Sequence, residues 1–139
     1  MRSNNSNWKR VSLIAILAVG LSQFPVMEAQ ARNTKLMLPI EDVTEGDHKH
    51  RLDSDIELFF GEQSHPKVKE SHGVYVTNKK TNAFGKSDKE ACIWVMLSAL
   101  RKLEERARAE GGNAVINIRS YYDKNEYSSK TQYECRAGN

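Results

Sequence analysis

Apolar residues recur with helical spacing between Ser87 and Glu110, in the clearest element of the chain. Two neighbouring apolar stripes run through this stretch, one of Ala91, Val95, Ala99, Leu103 and Ala107, the other of Cys92, Met96 and Leu100. Such spacing predicts an amphipathic helix. Ser87 and Glu90 form a capping box at its start, and Gly111 suits the left-handed position after its end. We expect the apolar stripes to lie on a sheet.

The opposite side of this helix is charged. It carries Arg101, Lys102, Glu104, Glu105, Arg106, Arg108 and Glu110. Charges of opposite sign stand four residues apart in the pairs Arg101/Glu105, Glu104/Arg108 and Arg106/Glu110, a spacing that stabilises exposed helices. We therefore predict a solvated helix surface here and not a binding patch.

Alternating apolar and polar residues predict strands on both sides of the helix. Residues 114–122 read as a strand with Ala114, Ile116 and Ile118 facing inward. A turn-rich segment and a second alternating run, residues 127–135, then predict a hairpin.

Three shorter strands are predicted before the helix. They are marked by Leu36, Leu38 and Ile40, by Ile56, Leu58 and Phe60, and by Val74 and Val76. Pro39 confines the first of them to a sheet edge. The polar residues 41–55 show no periodicity and are expected to form a loop. The order β-β-β-α-β-β predicts an α+β two-layer sandwich, with one long helix on a mostly antiparallel sheet.

Residues 1–31 differ in character from the rest of the chain. A basic start with Arg2, Lys9 and Arg10 precedes an apolar run over residues 11–21, and Ala29-Gln30-Ala31 supplies a small-residue cleavage site. This pattern is typical of a secretory signal peptide. An apolar run of about 11 residues is too short for a membrane-spanning helix, which needs about 20. We expect cleavage after Ala31 and a single periplasmic or secreted domain over residues 32–139, without stable membrane insertion.

Composition narrows the classes of function. The chain has 139 residues, 39% of them hydrophobic, and a net charge of +3. That charge is weak for a nucleic-acid binder, and we expect no nucleic-acid partner. The two cysteines, Cys92 and Cys135, form an even pair in the exported part, and the predicted helix and strand aim both at one core. In an oxidising compartment this favours a disulfide, which would contribute on the order of 4 kcal/mol to stability.

Two groups of residues are candidates for a functional site, one for metal binding and one for phosphate binding. His48 and His50 are two positions apart in a short segment, so both imidazoles could bind one Zn²⁺ or Cu²⁺ ion. Further ligands would come from Asp47, Asp53, His65 or His72. A solvated charged loop is the simpler interpretation of this segment. Gly85, Lys86 and Ser87 open the helix in the manner of a phosphate-binding loop. The full motif requires a glycine where the chain has Lys80, so we reject nucleotide binding at these residues.

The segment from Lys89 to Tyr122, with its Glu-Gly-Gly-Asn-Ala-Val-Ile-Asn-Ile-Arg-Ser-Tyr-Tyr run, and the later Tyr133-Glu-Cys135 carry a family resemblance. They resemble small exported bacterial proteins that often bear the label "excinuclease ATPase subunit". The helix and Gly-Gly-Asn-Ala-Val-Ile are more distantly similar to YbjQ-type heavy-metal-binding domains and to the periplasmic domain of the Rcs envelope-stress sensor lipoprotein. The resemblance implies an α+β fold and a disulfide, and it transfers no catalytic residue. Its members continue past Gly138 into a further apolar strand, so we expect this chain to lack a C-terminal strand.

No convergent catalytic set is present, and the leading hypothesis is a non-enzymatic envelope sensor, adaptor or binding domain without a cofactor. Its partner would be an envelope protein or a small ligand. A periplasmic metal-binding protein using His48 and His50 is the alternative, and the ATPase activity implied by the family label is a distant third.

Overall fold

The computed structural model describes residues 32–138, so the expected signal peptide lies outside the described residues. Two helices, one 3₁₀ helix and six strands occur in this range. In chain order they are β1 (Asn33–Pro39), α1 (Glu41–Thr44), the 3₁₀ helix (Gly46–Arg51), β2 (Glu57–Phe60), α2 (Asp88–Ala109), β3 (Ala114–Ile118), β4 (Ser120–Tyr122), β5 (Asn125–Tyr127) and β6 (Gln132–Gly138). The fold is α+β, as the sequence predicts.

Two of the three strand pairs are antiparallel. Strands β1 and β6 pair along their full lengths, with Leu36 opposite Cys135 and Leu38 opposite Tyr133. Strands β4 and β5 form a tight hairpin. Its two turn residues, Asp123 and Lys124, have φ angles of 49° and 62°. Left-handed conformation at both positions matches the type I′ turn that suits the twist of paired strands.

The third pair, β2 and β3, is parallel and has an irregular register between Leu58 and Phe60. A parallel pair needs a long crossover connection, and α2 lies in that connection. The expected long hairpin is therefore only partly confirmed. The hairpin that forms is shorter than the predicted one, because it joins only β4 and β5. Strand β6 pairs with β1 instead, because the apolar residues of both strands meet in the core.

Helix α2 begins and ends where the sequence predicts. The Ser87 hydroxyl accepts a hydrogen bond from the Glu90 amide at 3.2 Å, and the chain turns left-handed at Gly111, with φ 77°. The helix packs against β3 and β6. The core between these layers is formed by buried residues of β1, α1, β2, α2, β3 and β6 and of the turn after β1, namely Leu38, Ile40, Val43, Phe60, Cys92, Leu97, Leu100, Ile118, Tyr133 and Ala137.

The buried side of α2 includes Ala91, Cys92 and Leu100 of the predicted stripes and departs from them at Leu97 and Glu104. Leu97 and Leu100 are almost fully buried, and Glu104, predicted to be solvated, is 3% exposed. A four-residue step advances about 400° around an α-helix, so a stripe with that spacing drifts by about 40° per step. The buried residues Leu97, Leu100 and Glu104 are three and four residues apart. This mean spacing is close to the 3.6 residues of one helical turn, so the three side chains stay on one side of the helix.

Three other expectations are wrong. Val74 and Val76 lie in no strand and are exposed. The expected loop over residues 41–55 contains α1 and the 3₁₀ helix instead, with Val43 fully buried. Ile116 is 38% exposed instead of facing inward, because the left-handed backbone of Asn117, at φ 53°, interrupts the alternation before Ile118.

The predicted disulfide is confirmed. Cys92 in the first turns of α2 is bonded to Cys135 in β6, and their Cα atoms are 5.9 Å apart. The bond joins the helix to the sheet, and Cys92 is 2% exposed. No helix within residues 32–138 is long and apolar enough to cross a membrane.

Candidate functional site

The residues of the expected metal site are spread over the surface. The ring of His48 meets Trp94 edge-on, with centroids 5.8 Å apart, while His50 is exposed. His65 lies against Phe59, and Asp53 pairs with Arg108. Within residues 32–138, no three His, Cys, Asp or Glu side chains are grouped to hold a metal ion.

Trp94 explains the position of the 3₁₀ helix. The guanidinium of Arg51 stands 4.6 Å from the centre of the Trp94 ring, and His48 approaches the same ring. Such cation–π contacts stabilise a surface packing by about 0.5 to 1 kcal/mol. The histidine is thus part of the contact between the 3₁₀ helix and α2.

The Gly-Lys-Ser segment of residues 85–87 leads into α2 and supplies its N-cap. Lys86 Nζ donates to the carbonyl oxygen of Asn82 at 3.1 Å. Ser87 serves as the N-cap residue, and Lys80 lies in the segment without regular secondary structure ahead of this turn. Both functional groups have structural partners within the protein.

A buried carboxylate marks the contact between α2 and the segment before β2. Glu104 Oε1 accepts a hydrogen bond of 3.1 Å from the backbone N–H of Asp53. Burial raises the pKa of Glu104 to about 7, partly offset by the charge of Arg101. The Asp53 carboxylate in turn forms an ion pair with Arg108.

A shallow depression of about 440 Å³ opens beside this carboxylate. Its lining is formed by Arg51, Leu52, Asp53, Arg101, Glu104, Glu105, Arg108 and Ala109. The lining includes no serine, cysteine or histidine that would act as a nucleophile. The lining holds three carboxyl groups, those of Asp53, Glu104 and Glu105, and the raised pKa among them is that of Glu104.

The most unusual surface is a segment without helix or strand that we call the strap, residues 70–82. The chain neither bends nor turns over these residues. Among the described residues, the backbone N–H and C=O groups of residues 73–81 make no hydrogen bond. Backbone groups without partners also occur at the free edge of a sheet, where they are open to pairing with another strand.

One side of the strap lies on the charged surface of α2. The guanidinium of Arg106 stands 4.4 Å from the centre of the Tyr75 ring, and the Tyr75 hydroxyl donates to the carbonyl oxygen of His72 at 2.8 Å. Lys79 borders a surface depression together with Ser98 and Lys102 of α2. These contacts hold the strap along the helix.

The other side of the strap faces solvent. Val74 is 86% exposed and Val76 is 71% exposed, whereas Thr77 and Lys79 are half-buried. Phe84, just beyond the strap, is 89% exposed. Residues 70–76 are all exposed, and half-buried positions alternate with exposed ones only from Val76 to Lys80. The strap therefore presents neighbouring β-branched side chains beside unpaired backbone groups.

Sequence reasoning missed both the strap and Glu104. The alternation of Val74 and Val76 predicted a strand that the structure does not have, because alternation does not encode whether a partner strand is present. Glu104 belongs by type to the charged face, and only its seven-residue distance from Leu97 places it on the core side.

Comparisons with known proteins returned no match among family models, curated proteins or solved structures. The likeness to the exported proteins and to the YbjQ-type and Rcs domains therefore stays a prediction.

Proposed function

We propose that this chain is an exported, non-enzymatic module of the bacterial envelope that acts by binding another protein chain along the strap. The single observation that carries the proposal is the strap itself, in which exposed Val74 and Val76 stand beside backbone groups without partners. Strand addition to such an edge supplies main-chain hydrogen bonds, and the alternate side chains give specificity.

The disulfide supports the location in an oxidising compartment. Disulfides persist in secreted and periplasmic proteins and are rare in the reducing cytosol. Together with the signal-peptide pattern of residues 1–31, the bond between Cys92 and Cys135 favours a periplasmic or secreted protein. Mass spectrometry of the exported protein should find Arg32 at the N-terminus, and an intact Met1 would contradict the export signal.

The site chemistry also favours binding over catalysis. The candidate groups are either structural, as Ser87 and His48 are, or isolated, as Glu104 is. A sensor or adaptor requires only a surface that another protein recognises, and the strap is such a surface.

A photo-crosslinking residue placed at Val74 tests the proposal. In a Gram-negative cell that exports the full chain, ultraviolet light should yield a discrete protein adduct. The same residue at Lys130, which is exposed outside the strap, is the control and should yield none. Absence of an adduct at Val74, or equal adducts at both positions, would overturn the proposal.

A further inference from the structure

Residues 45–55, which we call the flap, lie against α2 without a fully buried side chain of their own. The flap contains the 3₁₀ helix and runs between two buried residues, Val43 and Ile56. Every residue of the flap is exposed or half-buried. A segment with few buried apolar contacts, held between firmly packed ends, is the kind of unit that opens locally while the rest of a fold stays intact.

The flap is attached to α2 at three points. One is the contact of the 3₁₀ helix with Trp94, and the second is the ion pair between Asp53 and Arg108. At the third, the backbone N–H of Asp53 donates to Glu104. Within residues 32–138, this is the only hydrogen bond that joins the backbone of the flap to an element other than α1.

Glu104 thus holds the flap through a carboxyl group that the flap itself shields from water. The charged groups that line the depression beside it are Arg51 and Asp53 of the flap and Arg101, Glu105 and Arg108 of α2. Desolvation outweighs the attraction of Arg101 and raises the pKa of Glu104 to about 7. A hydrogen bond from Lys102 lowers the pKa of Glu105, and arginines stay charged at all pH values of interest. Glu104 is therefore the group of this cluster whose charge changes between pH 4.5 and 7.

We propose that the flap is a pH-sensitive element, closed on α2 while Glu104 is protonated and opening locally when Glu104 ionises. A buried charge is costly, and opening between Val43 and Ile56 lets water reach the carboxylate. The open state exposes Leu52 and the covered side of Trp94, both of which are half-buried in the closed state. This inference does not depend on the proposed function of the strap.

The flap should open more as pH rises. In the open state Glu104 meets water and has its ordinary pKa of 4.5, whereas in the closed state its pKa is about 7. The closed state therefore binds the proton more tightly. The equilibrium constant for opening should rise roughly tenfold per pH unit between pH 4.5 and 7, about 300-fold in all, and level off above pH 7.

Amide hydrogen exchange of the exported, oxidised protein tests the flap. Rates are measured from pH 4.5 to 7.5 and compared with those of an unstructured chain at the same pH, which gives a protection factor for each amide. The protection factor of the Asp53 amide should fall about 300-fold over this range and stay below those of β6 at every pH. Low concentrations of urea should leave it unchanged while they lower the protection of β6, because local opening exposes little surface. Flap amides that exchange at the rate of β6, with the same dependence on urea, would show that the flap opens only when the whole domain unfolds and would overturn the proposal.

Matched variants assign the pH dependence to one carboxyl group. Glu104→Gln keeps an oxygen acceptor for the Asp53 N–H but cannot ionise, so the protection of that amide should no longer change with pH. Glu105→Gln, at an exposed neighbouring position, should behave as the unaltered protein does. Histidines often titrate in the same range, and His48→Phe/His50→Gln should therefore retain the pH dependence. Persistence of the pH dependence in Glu104→Gln, or its loss in the histidine variant, would contradict the proposal. The comparison of the flap with β6 in the unaltered protein needs no variant and decides the matter should Glu104→Gln not fold.

Discussion

Glu104 is a buried carboxyl group whose charged form is destabilised by desolvation. Glu104 is 3% exposed on the core side of α2, and the backbone N–H of Asp53 donates to its carboxylate. Desolvation of the charged form is the main cause of its raised pKa, which reaches about 7. The protonated form is therefore the favoured one inside the protein over much of the acidic range.

Stability should fall as pH rises. The carboxyl group has an ordinary pKa of 4.5 when the chain is unfolded and about 7 when it is folded. The folded state thus binds the proton more tightly, and the free energy of unfolding should decrease by about 2 to 3 kcal/mol between pH 4.5 and 7. Glu104→Gln should remove this decrease in urea titrations at several pH values. Glu105→Gln, an exposed neighbour, is the control, and an unchanged pH profile in Glu104→Gln would contradict the assignment.

Tyr133 is a second buried polar group. It is 2% exposed, and its hydroxyl has no hydrogen-bond partner among the described residues. Burial, with a contribution from the charge of Asp42, raises the pKa of Tyr133. An unpaired buried hydroxyl costs about 1 to 3 kcal/mol.

Removal of that hydroxyl should not harm the protein. Tyr133→Phe should leave the free energy of unfolding unchanged or raise it by about 1 kcal/mol, since no hydrogen bond is lost. The matched variant Tyr122→Phe removes a hydroxyl that accepts from Asn33 at 3.1 Å, and it should be neutral or slightly destabilising. A loss above about 1 kcal/mol in Tyr133→Phe would show that the hydroxyl has a partner.

At the scale of elements, α2 organises the rest of the chain. Its core side carries the packing against β3 and β6, and its charged side supports the strap through the contact of Arg106 with Tyr75. One helix thus connects the interior to the proposed binding surface. Fraying of α2 would loosen the strap as well as the core.

The N-cap of α2 should be measurable. Ser87→Ala removes the acceptor for the Glu90 amide, and we expect a loss of about 1 kcal/mol in the free energy of unfolding. Ser98→Ala is the matched control, because Ser98 lies inside the helix and only donates back to the carbonyl oxygen of Trp94. Its effect should lie within about 0.5 kcal/mol. Equal effects at both serines would contradict the capping role.

At the scale of the whole molecule, the disulfide joins the two layers across a sequence separation of 43 residues. A loop of that length loses much of its freedom in the unfolded chain when it is closed. Most of α2, strand β3 and both strands of the β4–β5 hairpin lie between the bonded cysteines in sequence, so the crosslink restricts a large part of the described residues.

Loss of the crosslink should be costly. Cys92→Ser/Cys135→Ser should lower the free energy of unfolding by about 3 to 4 kcal/mol, measured by urea denaturation against the oxidised protein. Dithiothreitol should have the same effect on the unaltered chain, which has no other cysteine, and none on the double variant. An unchanged unfolding midpoint in either experiment would contradict the stabilising role.

The sequence alone determined the elements whose causes are local. The capping box, the glycine after the helix and the apolar period together place α2 to within a residue, since these signals act through neighbouring groups. The alternation of Leu36 and Leu38 likewise indicates β1. The paired cysteines and the export signal pointed to the disulfide, because helix and strand geometry aim both side chains inward.

Only the tertiary structure decided what depends on distant partners. Strand β6 pairs with β1 and not with its neighbour in sequence, because contact between their apolar residues outweighs the short loop that would favour a hairpin. Glu104 is buried because the segment at Asp53 covers it, and Val74 and Val76 stay without strand partners because Tyr75 binds the outer side of α2. Local patterns specify backbone conformation, whereas burial and pairing depend on which surfaces of the folded chain are already occupied.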